Sequence, residues 1–259
     1  CLFPSPCPKL RADHRDYLEL LRKLRSLPGV KKVFIRSGIR FDYLLADKKT
    51  PFLEELCAHH VSGQLKIAPE HVSADVLRIM GKPGREVYER FMEAFRVMNT
   101  RLGKKQYLVP YFISSHPGAE LKDAVELAEF LRDIRFQPEQ VQDFVPAPGS
   151  PATCIYWTGI DPMTGEPVHV PKSREERKMQ RALLQYREPK NRETVIRALE
   201  AAGRSDLVGE GPLCLVRPQH RPERGRLSAP ILPGGKKTGS RSQKRRTDLG
   251  KKDRRKDQR

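Results

Sequence analysis

Apolar residues recur at helical spacing near the start of the chain, on one face of a stretch that is otherwise rich in Arg and Lys. Spacings of three and four positions between apolar residues are typical of an amphipathic helix. The pattern predicts a helix over residues 14–27, which Pro28-Gly29 ends. Its apolar positions are Tyr17, Leu18, Leu21, Leu24 and Leu27.

Short runs of β-branched and aromatic residues alternate with further helical segments along the chain. The runs predict four strands, at residues 30–38, 64–69, 106–113 and 140–145. Helices are predicted between them, at residues 51–60, 73–80, 85–102 and 121–135. Helical crossovers of this length join parallel strands. The sequence therefore predicts the α/β class, with a parallel sheet and right-handed connections.

Each predicted strand is followed by a cluster of polar or turn-forming residues, at residues 37–40, 69–71, 114–118 and 146–150. The loops at the carboxyl ends of parallel strands carry the chemistry in both open α/β sheets and (β/α) barrels. The clusters therefore predict a functional site at this edge. No glycine-rich dinucleotide or P-loop motif follows any strand, so those two nucleotide-binding classes lose their main support.

The remainder of the chain changes character twice. Residues 150–171 are rich in turn-forming residues, and helices are predicted at residues 173–186 and 192–202. We interpret these as a small helical appendage packed on the α/β part. Beyond Val216 the sequence is mainly Pro, Gly, Arg, Lys and Ser, which predicts disorder. The expected organisation is an α/β domain over 1–150, a subdomain over 151–216 and a disordered basic tail over 217–259.

Most of the positive charge lies in that tail. The chain has 50 Lys and Arg against 32 Asp and Glu, a net charge of +18, and residues 217–259 have 16 against 4, a net charge of +12. Clustered cations release counterions from phosphates, so one interpretation is an RNA- or ribosome-associated binding protein that acts through the tail. The tail lacks interleaved aromatic residues, which argues against sequence-specific recognition. The other interpretation is a solubilising extension.

No run approaches the roughly 20 apolar residues that a bilayer span needs, and no basic and apolar leader precedes a cleavage site. We therefore expect no membrane partner and a cytoplasmic location. Five singly spaced cysteines do not form a disulfide framework in a chain of 259 residues. Because the chain begins with Cys1 rather than Met, we expect it to be a piece of a longer protein.

Several residues have both a functional and a structural interpretation. Glu70-His71 at a strand end fits acid–base chemistry or ligand contact, and equally a turn with solvated side chains. His116 fits a site residue or a loop whose turn is set by Pro117-Gly118. The adjacent histidines 59 and 60 fit a favourable interaction with a helix end better than metal ligation. Cys1 and Cys7 are too far apart for a zinc knuckle and are at best half of a metal site.

Four motifs in order identify a family resemblance. They are LKIAPEH at 65–71, DVLRIMGKPG at 75–84, YLVPYFISSHPG at 107–118 and VQDFVPAP at 141–148. Together they resemble the C-terminal half of YgiQ-type radical S-adenosylmethionine (SAM) proteins, over a stretch from Cys1 to about Val216. Residues 156–159 and 170–172 also look like that group's own C-terminal domain.

The resemblance implies the third to sixth strands of a partial (β/α)6 barrel, with a small helical appendage and the basic tail. It also implies a 4Fe–4S cluster held by a Cys-x3-Cys-x2-Cys loop after the first strand of the family. This sequence contains no such triplet. We therefore expect no metal ligands in this chain, with the cluster ligands upstream of it.

The resemblance assigns SAM-binding roles to residues at the strand ends. Glu70 would approach the ribose hydroxyls, and Lys82 would meet the SAM carboxylate without the bidentate fork of the more usual Arg. The residues expected around adenine are Ile113, Ser115, Val145 and Pro146. The expected substrate-side residues are Lys66, His71, Tyr111 and His116. Ser115 stands where a glycine is common in the family and His116 where an aromatic residue is common, so adenine would be held differently.

The chemistry that the resemblance implies is reductive cleavage of SAM to a 5′-deoxyadenosyl radical, which abstracts a hydrogen atom from a substrate. The cluster and SAM would supply this chemistry, and the protein would orient them. The expected partner is an electron donor such as flavodoxin or ferredoxin. The sequence does not identify the substrate.

Overall fold

A computed structural model of the protein describes residues 7–218. The predictions made for Cys1 and for the tail beyond Pro218 lie outside these residues. The α-helices are α1 Arg15–Ser26, α2 Phe41–Ala46, α3 Phe52–Glu55, α4 Ala74–Met80, α5 Arg85–Arg101, α6 Leu121–Asp133, α7 Pro151–Thr158, α8 Arg174–Leu184 and α9 Arg192–Ala201. A π-helical turn, Leu56–His60, continues α3, and short 3-10 turns cover Pro189–Asn191 and Ser205–Leu207.

The strands β1 Gln64–Glu70, β2 Tyr107–Ser114 and β3 Gln142–Asp143 form a parallel sheet in the order β1-β2-β3. Gln64 pairs with Tyr107 and Ile67 with Pro110, after which the register shifts before Glu70. The predicted α/β class with helical crossovers between parallel strands is confirmed. The barrel itself stays an expectation drawn from the resemblance.

Residues 30–38, predicted as a strand, do not form one. The run has the composition of a strand, and Ile35 is buried. Its backbone does not form a ladder with a neighbouring strand; the Ile35 N–H donates to the His60 carbonyl at 2.9 Å, and His60 belongs to the π-helical turn. A run with strand propensity becomes a strand only when a neighbouring backbone pairs with it. The predicted fourth strand is likewise shortened to Gln142–Asp143, although the Phe144 N–H still reaches the Ser114 carbonyl at 2.8 Å.

The turn-rich interpretation of residues 150–171 is wrong in its first part, which forms α7. Ser150 caps this helix by accepting the Thr153 N–H at 3.3 Å, and Pro151 occupies the first turn, where its missing N–H costs nothing. The helix ends at Gly159, whose left-handed φ of 71° suits glycine. The sequence motif Ser-Pro therefore marked a helix start rather than a turn.

The helices cover one face of the sheet and leave part of the other face open. Leu65 and Ile67 of β1 and Phe112 of β2 are buried in the same apolar core as Leu127 of α6 and Leu183 of α8. On the opposite face the exposed side chains include Lys66, Tyr107 and Tyr111. Alternation of buried and exposed positions along β1 and β2 produces this difference.

The predicted helical appendage, α8 and α9, contributes to that core. Leu183 and Leu184 of α8 and Val195 and Leu199 of α9 are fully or almost fully buried within it. Helix α8 packs against both α6 and α9. Among residues 7–218, none of the helices has the length and apolar character required to cross a bilayer.

The position of Leu183 leads to a stability prediction. Replacing this fully buried side chain with Ala removes apolar contacts between α8 and its neighbours and leaves a cavity. We expect Leu183→Ala to lower the free energy of unfolding by about 2–5 kcal/mol, measured by urea denaturation followed by circular dichroism. Leu20→Ala is the matched control, because Leu20 is 52% exposed on α1. Equal effects of the two changes would contradict the core assigned to α8.

Candidate functional site

Two adjacent strands end in the same unusual backbone conformation. Glu70, the last residue of β1, has a φ of 68°, and Ser115, which follows β2, has a φ of 61°. A non-glycine residue in the left-handed region costs on the order of 1–3 kcal/mol and persists only where its surroundings enforce it. Because β1 and β2 are parallel neighbours, both residues lie at the same edge of the sheet. Such conformations concentrate at functional sites, so this edge is the candidate site.

Glu70 forms an ion pair at this edge with Lys82. The Nζ atom of Lys82 lies 3.0 Å from Oε1 of Glu70, and both side chains are mostly but not fully buried. The end of α4 brings Lys82 there, because Gly81 adopts a left-handed φ of 63° and the Lys82 N–H bonds the Leu77 carbonyl at 2.9 Å. The two residues to which the resemblance assigns SAM contacts are therefore in direct contact.

A second ion pair lies close to the first. The guanidinium of Arg40 bonds both carboxylate oxygens of Asp42, at 3.1 and 2.6 Å. This bond is the main reason that the pKa of Arg40 is raised, and the charge of Glu70 contributes further. Arg40, Asp42 and Lys82 line a small pocket of about 170 Å³ next to Ala68 and Pro83. This volume is below the roughly 300–1,000 Å³ of pockets that enclose a drug-sized ligand, so the pocket can hold only one end of such a molecule.

Tyr111 and Lys66 are exposed on the open part of the sheet. The Tyr111 hydroxyl donates to Oε1 of Gln142 at 2.7 Å, which links β2 to β3. The pKa of Tyr111 is raised, mainly by partial burial and also by the charge of Glu70. Lys66 pairs in register with Val109 on the neighbouring strand. Tyr111 is therefore in electrostatic range of Glu70.

His71 and His116, at the ends of β1 and β2, are buried, with exposures of 3% and 5%. Nδ1 of His71 accepts the Ser73 N–H at 3.0 Å. His116 uses Nδ1 to donate to the Pro117 carbonyl at 2.7 Å. Burial lowers the pKa of His71 to about 3, with a smaller effect from the charge of His116, and lowers the pKa of His116 to about 4. Both rings are therefore neutral at pH 7.

Buried polar side chains form hydrogen bonds with the two loops that follow β1 and β2, on the side of the loops that faces the core. Gln180 of α8 is 1% exposed; its Oε1 accepts the Ser115 N–H at 3.1 Å and its Nε2 donates to the Ala119 carbonyl at 2.9 Å. Ser73 donates through its hydroxyl to Asp123 of α6 at 2.7 Å. The strained backbone at Ser115 thus has its N–H satisfied by a helix 65 residues away in sequence.

The other residues expected around adenine lie at the same edge with different exposures. Ile113 is half-buried and pairs in register with Gln142, and Val145, which follows β3, is 64% exposed. Pro146 is half-buried and Ser115 is buried, with its N–H already bonded. Among all the residues to which the resemblance assigns a role, Glu70 and Lys82 are in direct contact. Electrostatic effects also relate Glu70 to Tyr111 and His71 to His116.

No group of three or more His, Cys, Asp or Glu side chains within residues 7–218 is arranged to hold a metal ion. Cys57 is fully buried, and burial raises the pKa of its thiol to about 12, so it is not a thiolate at pH 7. Cys7 is a free, half-buried thiol. The residues that the structure describes therefore do not fit the thiolate site of an iron–sulfur cluster.

Sequence reasoning placed Arg40 in one of the clusters at this edge, but it did not identify the pairing of Arg40 with Asp42, nor Gln180 or Asp123, as parts of the edge. A sequence feature did exist for Gln180, which lies on the apolar stripe of α8, three and four positions before Leu183 and Leu184. A polar residue on a buried stripe needs hydrogen-bond partners. Its partners on the loop after β2 could not be read from spacing alone.

Comparison with known proteins agrees with the motifs. Residues 139–259 match a family model described as a domain of unknown function (DUF3362). A UPF0313 protein of Clostridium perfringens strain 13 is 53% identical over 252 residues, which are 97% of this chain and 38% of that protein. A UPF0313 protein of Clostridium botulinum strain 657 is 55% identical over 216 residues, 83% of this chain and 34% of that protein.

UPF0313 proteins are therefore homologues of this chain, and the chain carries a DUF3362 segment. This similarity is consistent with the resemblance to the YgiQ-type group. The chain spans less than two fifths of the length of these curated relatives.

The buried histidines lead to a pH prediction. The pKa of His71 is about 3 in the folded protein, against 6.5 for an ordinary histidine, so the unfolded chain binds a proton that the folded chain does not. Because the unfolded chain takes up this proton below pH 6.5, His71 lowers the free energy of unfolding progressively as the pH falls from 6.5 toward 3, and has no such effect at higher pH. His71→Asn keeps an acceptor for the Ser73 N–H without the titration.

From pH 8 to pH 5, we expect the free energy of unfolding of His71→Asn to fall by about 2 kcal/mol less than that of the wild type. Urea denaturation at the two pH values measures the difference. An identical loss in the two proteins would contradict the neutral, buried state of His71.

Proposed function

We propose that this chain is the C-terminal portion of a radical SAM enzyme and that the carboxyl edge of its sheet forms part of the SAM site. The observation that carries the proposal is the Glu70–Lys82 pair, held at a strained strand end beside a second strand end of the same conformation. The order of the four motifs and the homology to UPF0313 proteins support it. Radical SAM activity and a cytoplasmic location are both part of the proposal.

Glu70 and Lys82 would bind opposite parts of SAM. The Glu70 carboxylate has acceptor oxygens for the two ribose hydroxyls, and the Lys82 ammonium is a donor and counter-charge for the methionine carboxylate. In the structure each of these groups neutralises the other at 3.0 Å. Binding of SAM would replace this ion pair with two contacts to the ligand, so neither charged side chain would be left without a partner.

The small pocket beside Lys82 fits one end of SAM. Its cations, Lys82 and Arg40, suit the carboxylate of the amino-acid end, and Arg40 is held in place by Asp42. The remaining part of SAM would extend over the open edge of the sheet. Ile113, Val145 and Pro146 would offer apolar contact and backbone groups to adenine there.

Ser115 would act as part of a fixed wall, because its N–H is already bonded to Gln180. His71 and His116 would lie beside the bound molecules as buried neutral rings that add no charge, and because Nδ1 of each is already bonded, Nε2 is the atom available to the substrate. Lys66 and Tyr111, exposed on the sheet, are the remaining candidates for contact with the substrate.

The residues that the structure describes do not fit a 4Fe–4S cluster, so the proposal gives them no role in ligating it. The proposal places the cluster ligands in the part of the UPF0313 relatives that this chain does not cover. It likewise requires an electron donor such as flavodoxin or ferredoxin as a partner of the complete protein. In this proposal the chain contributes binding and orientation of SAM.

Glu70 variants test the proposal in the full-length protein. Glu70→Ala would leave the ribose hydroxyls without an acceptor, which costs about 1–3 kcal/mol and corresponds to SAM binding that is about 5- to 150-fold weaker. Glu70→Gln keeps a carbonyl oxygen at the same reach, so its effect should be smaller. Isothermal titration calorimetry with SAM measures the affinities.

The control is Glu93→Ala, which breaks an exposed Glu–Arg pair on α5 away from the sheet edge. It should bind SAM as the wild type does. Equal SAM affinity for wild type and Glu70→Ala would reject the assignment of Glu70. Absence of SAM binding by the full-length wild type would reject the proposed function as a whole.

A further inference from the structure

A strongly basic pocket lies at the opposite end of the strands, where β1 and β2 begin. It has a volume of about 440 Å³ and is bounded by Ser62-Gly63 before β1 and by Gln106 before β2. The cations that line it are Arg25, Lys31, Lys32, Lys104 and Lys105. No Asp or Glu is among its lining residues within the part of the chain that the structure describes.

The lysine charges in this pocket are not neutralised. Arg25 lies 3.3 Å from a Glu55 oxygen, but Glu55 also pairs with Arg22. Across residues 7–218, none of the four lysines has a carboxylate oxygen within 4.0 Å, whereas Lys23, Lys82 and Lys122 each have one. What distinguishes the four from the other unpaired surface lysines is that they line one pocket together. Four like charges gathered around one concavity create a positive potential that favours a polyanion.

An aromatic ring belongs to the same pocket. Phe34 is 41% exposed, lines the pocket and lies with its ring centroid 5.9 Å from Nζ of Lys32. An exposed ring between cations is the combination used to bind single-stranded nucleic acids, in which cations contact the phosphates and the ring stacks on a base. A small inorganic anion would use the cations alone.

We propose that this pocket binds single-stranded RNA, with Lys31, Lys32, Lys104 and Lys105 contacting successive phosphates and Phe34 stacking on a base. The site lies at the amino ends of the strands, whereas Glu70 and Lys82 lie at the carboxyl ends. It is therefore a second site, distinct from the proposed SAM site, and the residues that line it all lie within residues 7–218.

Salt-dependent binding of a fluorescently labelled oligouridylate of about 12 nucleotides to the 259-residue chain tests the proposal by anisotropy. Each phosphate contact contributes about 0.7 to the slope of log affinity against log salt for a single strand. The quadruple variant K31Q/K32Q/K104Q/K105Q should therefore have a slope that is about 2 to 3 units shallower than that of the wild type.

The matched control is K48Q/K49Q/K178Q/K190Q, which removes the same charge from four exposed lysines that also have no carboxylate partner among residues 7–218. It should keep a slope close to that of the wild type. Equal changes in the two variants, or no change in either, would overturn the proposal. Thermal unfolding followed by circular dichroism establishes that both variants are folded. If the quadruple variant does not fold, K104Q/K105Q replaces it, with about half the change in salt slope.

Phe34→Leu separates stacking from simple anion binding. Loss of one stacked base is expected to weaken RNA binding about 5- to 150-fold while leaving the salt slope unchanged. Unlabelled pyrophosphate should compete poorly at equal phosphate concentration. RNA affinity that is insensitive to Phe34→Leu, or efficient competition by pyrophosphate, would show a phosphate pocket only and would overturn the assignment to RNA.

Discussion

The left-handed backbone at the ends of β1 and β2 is the constraint on which the candidate site depends. Neither Glu70 nor Ser115 has the freedom of glycine, so each conformation must be enforced by its surroundings. Gln180 provides this for Ser115 by accepting its N–H and by donating to Ala119, and the neutral ring of His71 accepts the N–H of Ser73 after β1. Loss of any one of these buried bonds would leave a polar group unpaired, at a cost of about 1–3 kcal/mol.

Because the loops are held from the buried side, the charged groups can face outward in a fixed arrangement. Glu70 and Lys82 neutralise each other at the carboxyl edge of the sheet, and both keep partial exposure. The amino edge differs, since its four lysines have no such partners in the described part of the chain. The two ends of the same strands thus favour different ligands: a mixed-charge molecule at one end and a polyanion at the other.

The sequence predicted the elements whose signals are local. Apolar periodicity identified α1, α5, α6, α8 and α9, and β-branched runs identified β1 and β2. It failed for residues 30–38, because strand formation there depends on a partner that the run itself does not contain. At the site, motif order found Glu70 and Lys82, but their mutual pairing depends on the left-handed turn after α4. The role of Gln180 could not be predicted, because its hydrogen-bond partners lie about 60 residues earlier in the chain.

Hydrogen–deuterium exchange of the full-length protein with and without SAM tests the central claim most directly, because it reports on the backbone of the two strand ends without altering them. The account predicts that SAM slows exchange in peptides that cover residues 68–72, 80–84 and 113–118, while peptides covering residues 31–34 and 104–106 at the other end of the strands are unaffected. Slower exchange only outside the carboxyl edge, with these three segments unchanged by saturating SAM, would contradict it.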